Sequence, residues 1–174
     1  MTKKNKSINS KDLISFLRRL ILSNTNVVPF IHGKAGIGKT DIISQVAESF
    51  GYHLIILNLH TQEEGDLIGI PKEKDGITIY SKPEWIGLNE NNPKVIVFLD
   101  EMDRAVKNIL NVSLTLVREF RIHTHKLPKS WKIIAAGNSG VNDDFYDTNE
   151  IDLALKSRFV HLWYELNYKE WLEW

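Results

Sequence analysis

The sequence predicts an α/β fold in three layers, a parallel sheet with helices on both faces, and three observations carry that prediction. Apolar runs without alternation, "HLIILNL" at 53–59 and "VIVFL" at 95–99, suit strands that are covered on both faces. Stretches with apolar residues at helical spacing lie between such runs, and strands alternating with helices give a parallel sheet. A short apolar run, "VVPFIH" at 27–32, enters a glycine-rich turn and is followed directly by helical spacing, a strand–loop–helix unit.

Taken in order, Asn9 and Asp12 form a capping pair, and Leu13, Phe16, Leu17, Leu20 and Ile21 then predict a first helix over about 10–23. After the first strand, Ile42, Ile43, Val46, Ala47 and Phe50 mark a helix that Gly51 stops. Polar "HTQEEGD" follows the second strand. In "PKEKDGITIYSKPEW" the Asp75-Gly76 pair signals a small surface hairpin. Ile109, Leu110, Ser113, Leu116 and Val117 predict another helix after the third strand, and "WKIIAA" at 131–136 is the fourth strand.

The 174 residues, 43% of them hydrophobic, are enough for one domain with a real core. The 22 basic and 22 acidic side chains cancel, so no global charge favours nucleic acid or anionic lipid. The absence of Cys excludes disulfides, thiolate metal sites and Cys nucleophiles. Arg18 and Arg19 interrupt the apolar stretch after the basic N-terminus, so it has no signal-peptide core, and no run is long enough to span a membrane. A soluble, intracellular protein is expected.

Gly33, Gly38, Lys39 and Thr40 fit G-x-x-x-x-G-K-[ST] between a strand and a helix. Glycines let the backbone curl so that successive N–H groups face a phosphate, and the helix N-terminus adds its positive end. Lys39 reaches the β- and γ-phosphates and the Thr40 hydroxyl can ligate Mg²⁺. The run Gly33, Lys34, Ala35, Gly36, Ile37, Gly38, Lys39, Thr40 and Asp41 is the expected nucleotide-binding set.

Asp100 and Glu101 end the third strand at the carboxyl edge, where open α/β sheets bind ligands. Asp100 can hold Mg²⁺, and Glu101 can orient and polarise a water, or a substrate hydroxyl in a kinase. The alternative is that these acids cap the following helix, and Asp103 stands evenly between the two roles. Asn138 ends the fourth strand, where its amide can donate to a γ-phosphate and fix the attacking water, although Asn is also common in turns.

With these residues in place, the sequence resembles the AAA+ ATPases, in their dynein-related, MoxR-like branch. "GKAGIGKT" looks like the Walker A motif, "VIVFLDEMDRA" like Walker B, and Asn138 in "IIAAGN" like sensor 1. "GDLIGIP" at 65–71 and "KPEW" at 82–85 resemble segments of the same branch, and the likeness spans about residues 25–165. "DLALKSRF" at 152–159 resembles a run whose Arg acts as a finger toward the neighbouring subunit's nucleotide, which implies that role for Arg158. For Arg158 the alternative is a surface Arg at a helix end.

The resemblance implies a five-stranded parallel sheet in the order 5-1-4-3-2, with ATP and Mg²⁺ as cofactors. It also implies hydrolysis of ATP in a cytoplasmic hexameric ring, coupled to remodelling of a protein client such as one with a metal-ion-dependent adhesion domain. Residues 1–24 are then an N-terminal basic tail and helix, 25–165 the nucleotide-binding core, and 166–174 the start of a truncated or reduced helical lid. Asn167 and Glu170 have the spacing of a cap for that helix.

Two rivals differ in class. One is a nucleotide-gated binding module with little turnover, favoured by the missing lid and opposed by Glu101. The other is a DNA-directed loader or motor, opposed by the neutral charge. A GTPase lacks its Asn-Lys-x-Asp or Thr-Lys-x-Asp signature here. Arg118 and Arg121 are lesser candidates for interface contacts. His123 and His125 would share a face if "RIHTH" were extended, but no nearby Cys or carboxylate completes a metal site. His60 is expected to be a solvated loop residue, and Trp163, Trp171 and Trp174 are expected in lid or interface packing.

Overall fold

The structure, a computed structural model, describes residues 6–138 and 157–166. In chain order the first elements are β1 (Ser7–Ile8), α1 (Ser10–Leu22), β2 (Val28–His32), α2 (Lys39–Ser49), β3 (His53–Asn58) and α3 (Glu64–Ile68). Next come β4 (Pro71–Lys74), β5 (Ile77–Tyr80), α4 (Glu84–Gly87), β6 (Val95–Asp100) and a 3₁₀ turn, Met102–Arg104. The last are α5 (Lys107–Glu119), β7 (Arg121–Ile122), β8 (His125–Lys126), β9 (Lys132–Gly137) and β10 (Phe159–Tyr164).

The main sheet is parallel throughout, in the order β1-β10-β2-β9-β6-β3. With β2, β3, β6, β9 and β10 counted as one to five, the central order is the expected 5-1-4-3-2. The expected count of five is corrected to six by β1, which lies outside β10. Ser7 pairs with Trp163 and Ile8 with Tyr164, while the Ser10 hydroxyl meets the Tyr164 hydroxyl at 3.1 Å. A two-residue strand has no periodicity to read, and its partner lies at the far end of the sequence.

Alternate side chains of the strands enter two cores, one on each face of the sheet. Val28, Phe30, Val97, Leu99 and Ile133 pack with Leu116 and Val117 of α5. Ile31, Ile96, Phe98 and Ile134 pack with Leu13 and Leu17 of α1 and with Ile42, Ile43 and Val46 of α2. This double burial explains the unbroken apolar runs of β6 and β9. Truncating a core residue such as Leu13 or Phe98 to Ala costs about 2–5 kcal/mol. Asn9 caps α1 as expected, its side chain accepting the Asp12 N–H at 2.8 Å.

The expected surface hairpin is β4–β5, antiparallel around Asp75 and Gly76, both at positive φ. A second hairpin, β7–β8, contains the "RIHTH" segment. His123 lies in its turn with φ 47°, against the Tyr80 ring at 3.8 Å, so the segment is not one extended strand. Among the described residues no cluster of three or more His, Asp or Glu side chains could hold a metal ion, and no helix is long and apolar enough to cross a membrane. Arg118 and Arg121 both pair with Glu119 on the surface.

Candidate nucleotide site

Because β2, β6 and β9 run parallel, their carboxyl ends bring three distant segments to one edge. The loop after β2 curls over the start of α2, and Gly38, in the left-handed conformation with φ 82°, is the N-cap that turns the chain into the helix. Lys39 and Thr40 therefore occupy the first turn, at the positive end of the helix dipole.

Lys39 is buried within the loop. Its ammonium donates to the Gly33 carbonyl at 2.8 Å, the Lys34 carbonyl at 3.0 Å and Asn138 Oδ1 at 3.0 Å. Burial lowers its pKa, and the charges of Asp100, Asp103 and Glu101 oppose that shift. The Thr40 hydroxyl donates to Asp100 Oδ2 at 3.2 Å, while Asp100 Oδ1 accepts the Glu101 N–H at 2.8 Å.

Glu101 leaves the strand with φ 51°, a left-handed conformation that costs a non-glycine residue on the order of 1 kcal/mol. The turn leaves its carboxylate between Arg104 Nη1 and Asn138 Nδ2, each 3.5 Å from Oε1. Ala35, Gly36, Gly38, Lys39, Thr40, Asp41, Asp100, Glu101 and Asn138 line one cleft of about 270 Å³. Gly33, Lys34 and Ile37 belong to the loop but do not line the cleft: the first two turn carbonyls to Lys39, and Ile37 packs against the core beneath.

None of the three acids caps α5, whose N-cap is Val106 without a side-chain bond. Asp103 instead reaches across to β9 and accepts the Asn138 backbone N–H at 3.0 Å. Burial raises its pKa, and hydrogen bonds led by the one from Asn138 oppose the rise.

The donor set suits a small hard cation. Thr40 and Asp100 offer a hydroxyl and a carboxylate within 3.2 Å of each other, and Mg²⁺ is held by few protein oxygens plus waters and phosphate. These two side chains fit that role.

Arg158 is not part of this cleft. It is exposed and immediately precedes β10, whose Phe159 is level with Val28 at the start of β2. The phosphate loop begins at the other end of β2, roughly 16 Å along the strand at about 3.3 Å per residue. His60 is an exposed loop residue, as expected, near the Arg104 carbonyl.

A partly buried aromatic stack beside the loop was not legible in the sequence. His32, the last residue of β2, meets His161 Nδ1 at 2.7 Å through Nε2 and stacks on Trp163 with ring centres 4.8 Å apart. Trp163 therefore lies in a strand of the sheet, partly buried, and not in a lid, which corrects that half of its expected place. Trp171, Trp174, Asn167, Glu170 and residues 152–156 lie outside the described residues.

The model of a family described as AAA domain (dynein-related subfamily) matches residues 29–159. No curated protein matches significantly. Among solved structures, the closed state of Hsp104 with ATPγS and FITC casein aligns with a TM-score of 0.62 and 17% identity, covering 89% of this chain and 32% of that one. The Thermotoga maritima RuvB Holliday junction branch migration motor aligns at 0.53 and 16%, covering 90% and 44%. The chain thus spans less than half the length of either.

Proposed function

Because the chain belongs to the dynein-related subfamily of AAA domains, we propose that it binds Mg-ATP in the cleft at the carboxyl edge of its sheet and hydrolyses it. One observation carries this reading: Lys39, Thr40, Asp100, Glu101 and Asn138, drawn from three segments, converge on one cleft. The backbone N–H groups of the loop and the Lys39 ammonium hold the phosphate chain. Thr40 and Asp100 hold Mg²⁺, which when bound neutralises charge on the phosphate oxygens.

In the reaction a water oxygen bonds to the γ-phosphorus and the bond from that phosphorus to the β-phosphate oxygen breaks, giving ADP and phosphate. Glu101 orients the water and accepts its proton, and Asn138 fixes the water and the γ-phosphate. The finger is Arg158 of a neighbouring copy. Its distance from its own cleft supports action between subunits, in a hexameric ring that remodels a protein client, one with a metal-ion-dependent adhesion domain being the first to try. Residues 1–24, 25–165 and 166–174 serve as tail and helix, nucleotide core and the start of a helical lid in that cytoplasmic machine.

Phosphate release from Mg-ATP, followed across protein concentration, tests the reading. Release that saturates with ATP supports it. ATP binding without release above buffer leaves the nucleotide-gated module as the better account.

A further inference from the structure

One peptide plane at the end of β9 is held from both sides. The carbonyl of the Gly137–Asn138 peptide accepts the Gly33 N–H of the phosphate loop at 3.3 Å. In a trans peptide the N–H points the opposite way, here toward β6. Yet β6 has already turned off: its register with β9 ends at Leu99 and Ala135. The Asn138 N–H would lose its ladder partner at that point, and a buried N–H without one costs about 1–3 kcal/mol. Asp103 Oδ2 takes that place.

The same peptide carries the Asn138 side chain, whose amide spans Lys39 Nζ on one side and Glu101 Oε1 on the other. Space around the anchor is tight. A Cβ added to Gly137 would lie 3.2 Å from Asp103 Oδ1 and 3.0 Å from the Phe30 ring, so a side chain at this position would press on the anchoring carboxylate. Asp103 Oδ1 is buried and makes no hydrogen bond among the described residues. A purely structural acceptor need not be a carboxylate with one oxygen unpartnered, since burying that oxygen is unfavourable.

We propose that Asp103 is a positioning residue for this site: it replaces β6 as the partner of the Asn138 N–H and thereby sets where the Asn138 amide stands between Lys39 and Glu101. The inference rests on the hydrolysis reading and names a residue that this reading does not use. Asp103 touches neither nucleotide nor water in it and acts through Asn138.

The test is a mutant cycle on the full chain with Mg-ATP. Asp103→Ala removes the acceptor and should lower kcat by about tenfold to a hundredfold, the scale of a displaced catalytic group, with ATP affinity changed by less than about twofold. Asp103→Asn keeps an acceptor oxygen and should recover most of kcat. Asn138→Ala combined with Asp103→Ala should be no slower than Asn138→Ala alone, because the two act in series. Multiplicative losses, or no rescue by Asn in a protein that folds as the parent does, would overturn the proposal.

A second readout does not depend on turnover. The backbone amide proton of Asn138 should resonate downfield in the parent, move upfield in Asp103→Ala and stay near its parent position in Asp103→Asn, with the Asn138 side-chain amide shifting in the Ala variant. If the parent releases no phosphate yet these resonances behave so, the hydrolysis reading fails and the anchor stands. Unmoved resonances in Asp103→Ala refute the anchor whatever the turnover.

Discussion

Lys39 and Asn138, 99 residues apart in sequence, meet at 3.0 Å from Nζ to Oδ1. The same ammonium also donates to two carbonyls of its own loop. A phosphate chain entering the cleft must therefore offer Lys39 acceptors better than an amide and two carbonyls, and phosphate oxygens do so because the hydrogen bonds become charge-assisted at both ends.

Lys39→Ala should accordingly weaken nucleotide binding by about tenfold to a hundredfold, the range for losing a hydrogen bond to a charged group. Titration with a fluorescent ATP analogue measures it. An affinity equal to the parent's would remove the loop from the binding site.

Glu101→Gln should leave nucleotide affinity near the parent value and slow phosphate release by about 10² or more, since the amide cannot accept the water's proton. The Thr40–Asp100 pair does not depend on this side chain. Unchanged turnover would pass the role of base to another residue.

Arg158→Ala should keep nucleotide binding and lose only the part of the rate that grows with protein concentration. A Glu101→Gln subunit still carries Arg158, and an Arg158→Ala subunit still carries Glu101, so verified mixed rings of the two should regain activity. If specific activity is flat across the assembly range and such rings stay dead, Arg158 has no part in the mechanism.

His32 gives a pH dependence of stability. Burial, then the charges of His161 and Lys39, lower its pKa from 6.5 to about 3. Between those values the unfolded chain holds a proton that the native state does not, so this contribution is complete above pH 6.5 and falls as pH drops toward 3. The slope approaches about 1.4 kcal/mol per pH unit inside that window. Urea midpoints at pH 7.5 and 5.5 should differ less in His32→Phe, which keeps a ring on Trp163, than in the parent. Equal differences would show that His32 does not titrate this way.

Much of the fold was legible because its determinants are local. A strand buried on both faces writes itself as an unbroken apolar run, as β6 does, and the phosphate loop depends on residue types within eight positions. Asp100, Glu101 and Asn138 were readable because each sits at the end of such a run. What escaped was set by partners far away in sequence. Ser7 and Ile8 form a strand only because β10 offers an edge, and His32 pairs with a residue 129 positions on. Asp103 was ambiguous for a related reason: three residues past a strand it has the look of a helix cap, and only the early departure of β6 shows why β9 needs it.

The position of β10 between β1 and β2 has a consequence for the order of events during synthesis. Tyr164 turns its carbonyl to within 2.9 Å of where a side chain at Gly33 would begin, so the last strand braces the first phosphate-loop residue. On the ribosome, β2 and its loop emerge more than a hundred residues before that brace exists, and β1 has no neighbour to pair with until then. A chain ending at residue 158, which has β9 but not β10, should bind a fluorescent ATP analogue poorly, and one ending at residue 166 should bind it as the full chain does. Equal binding at both lengths would mean that the loop takes its shape without β10.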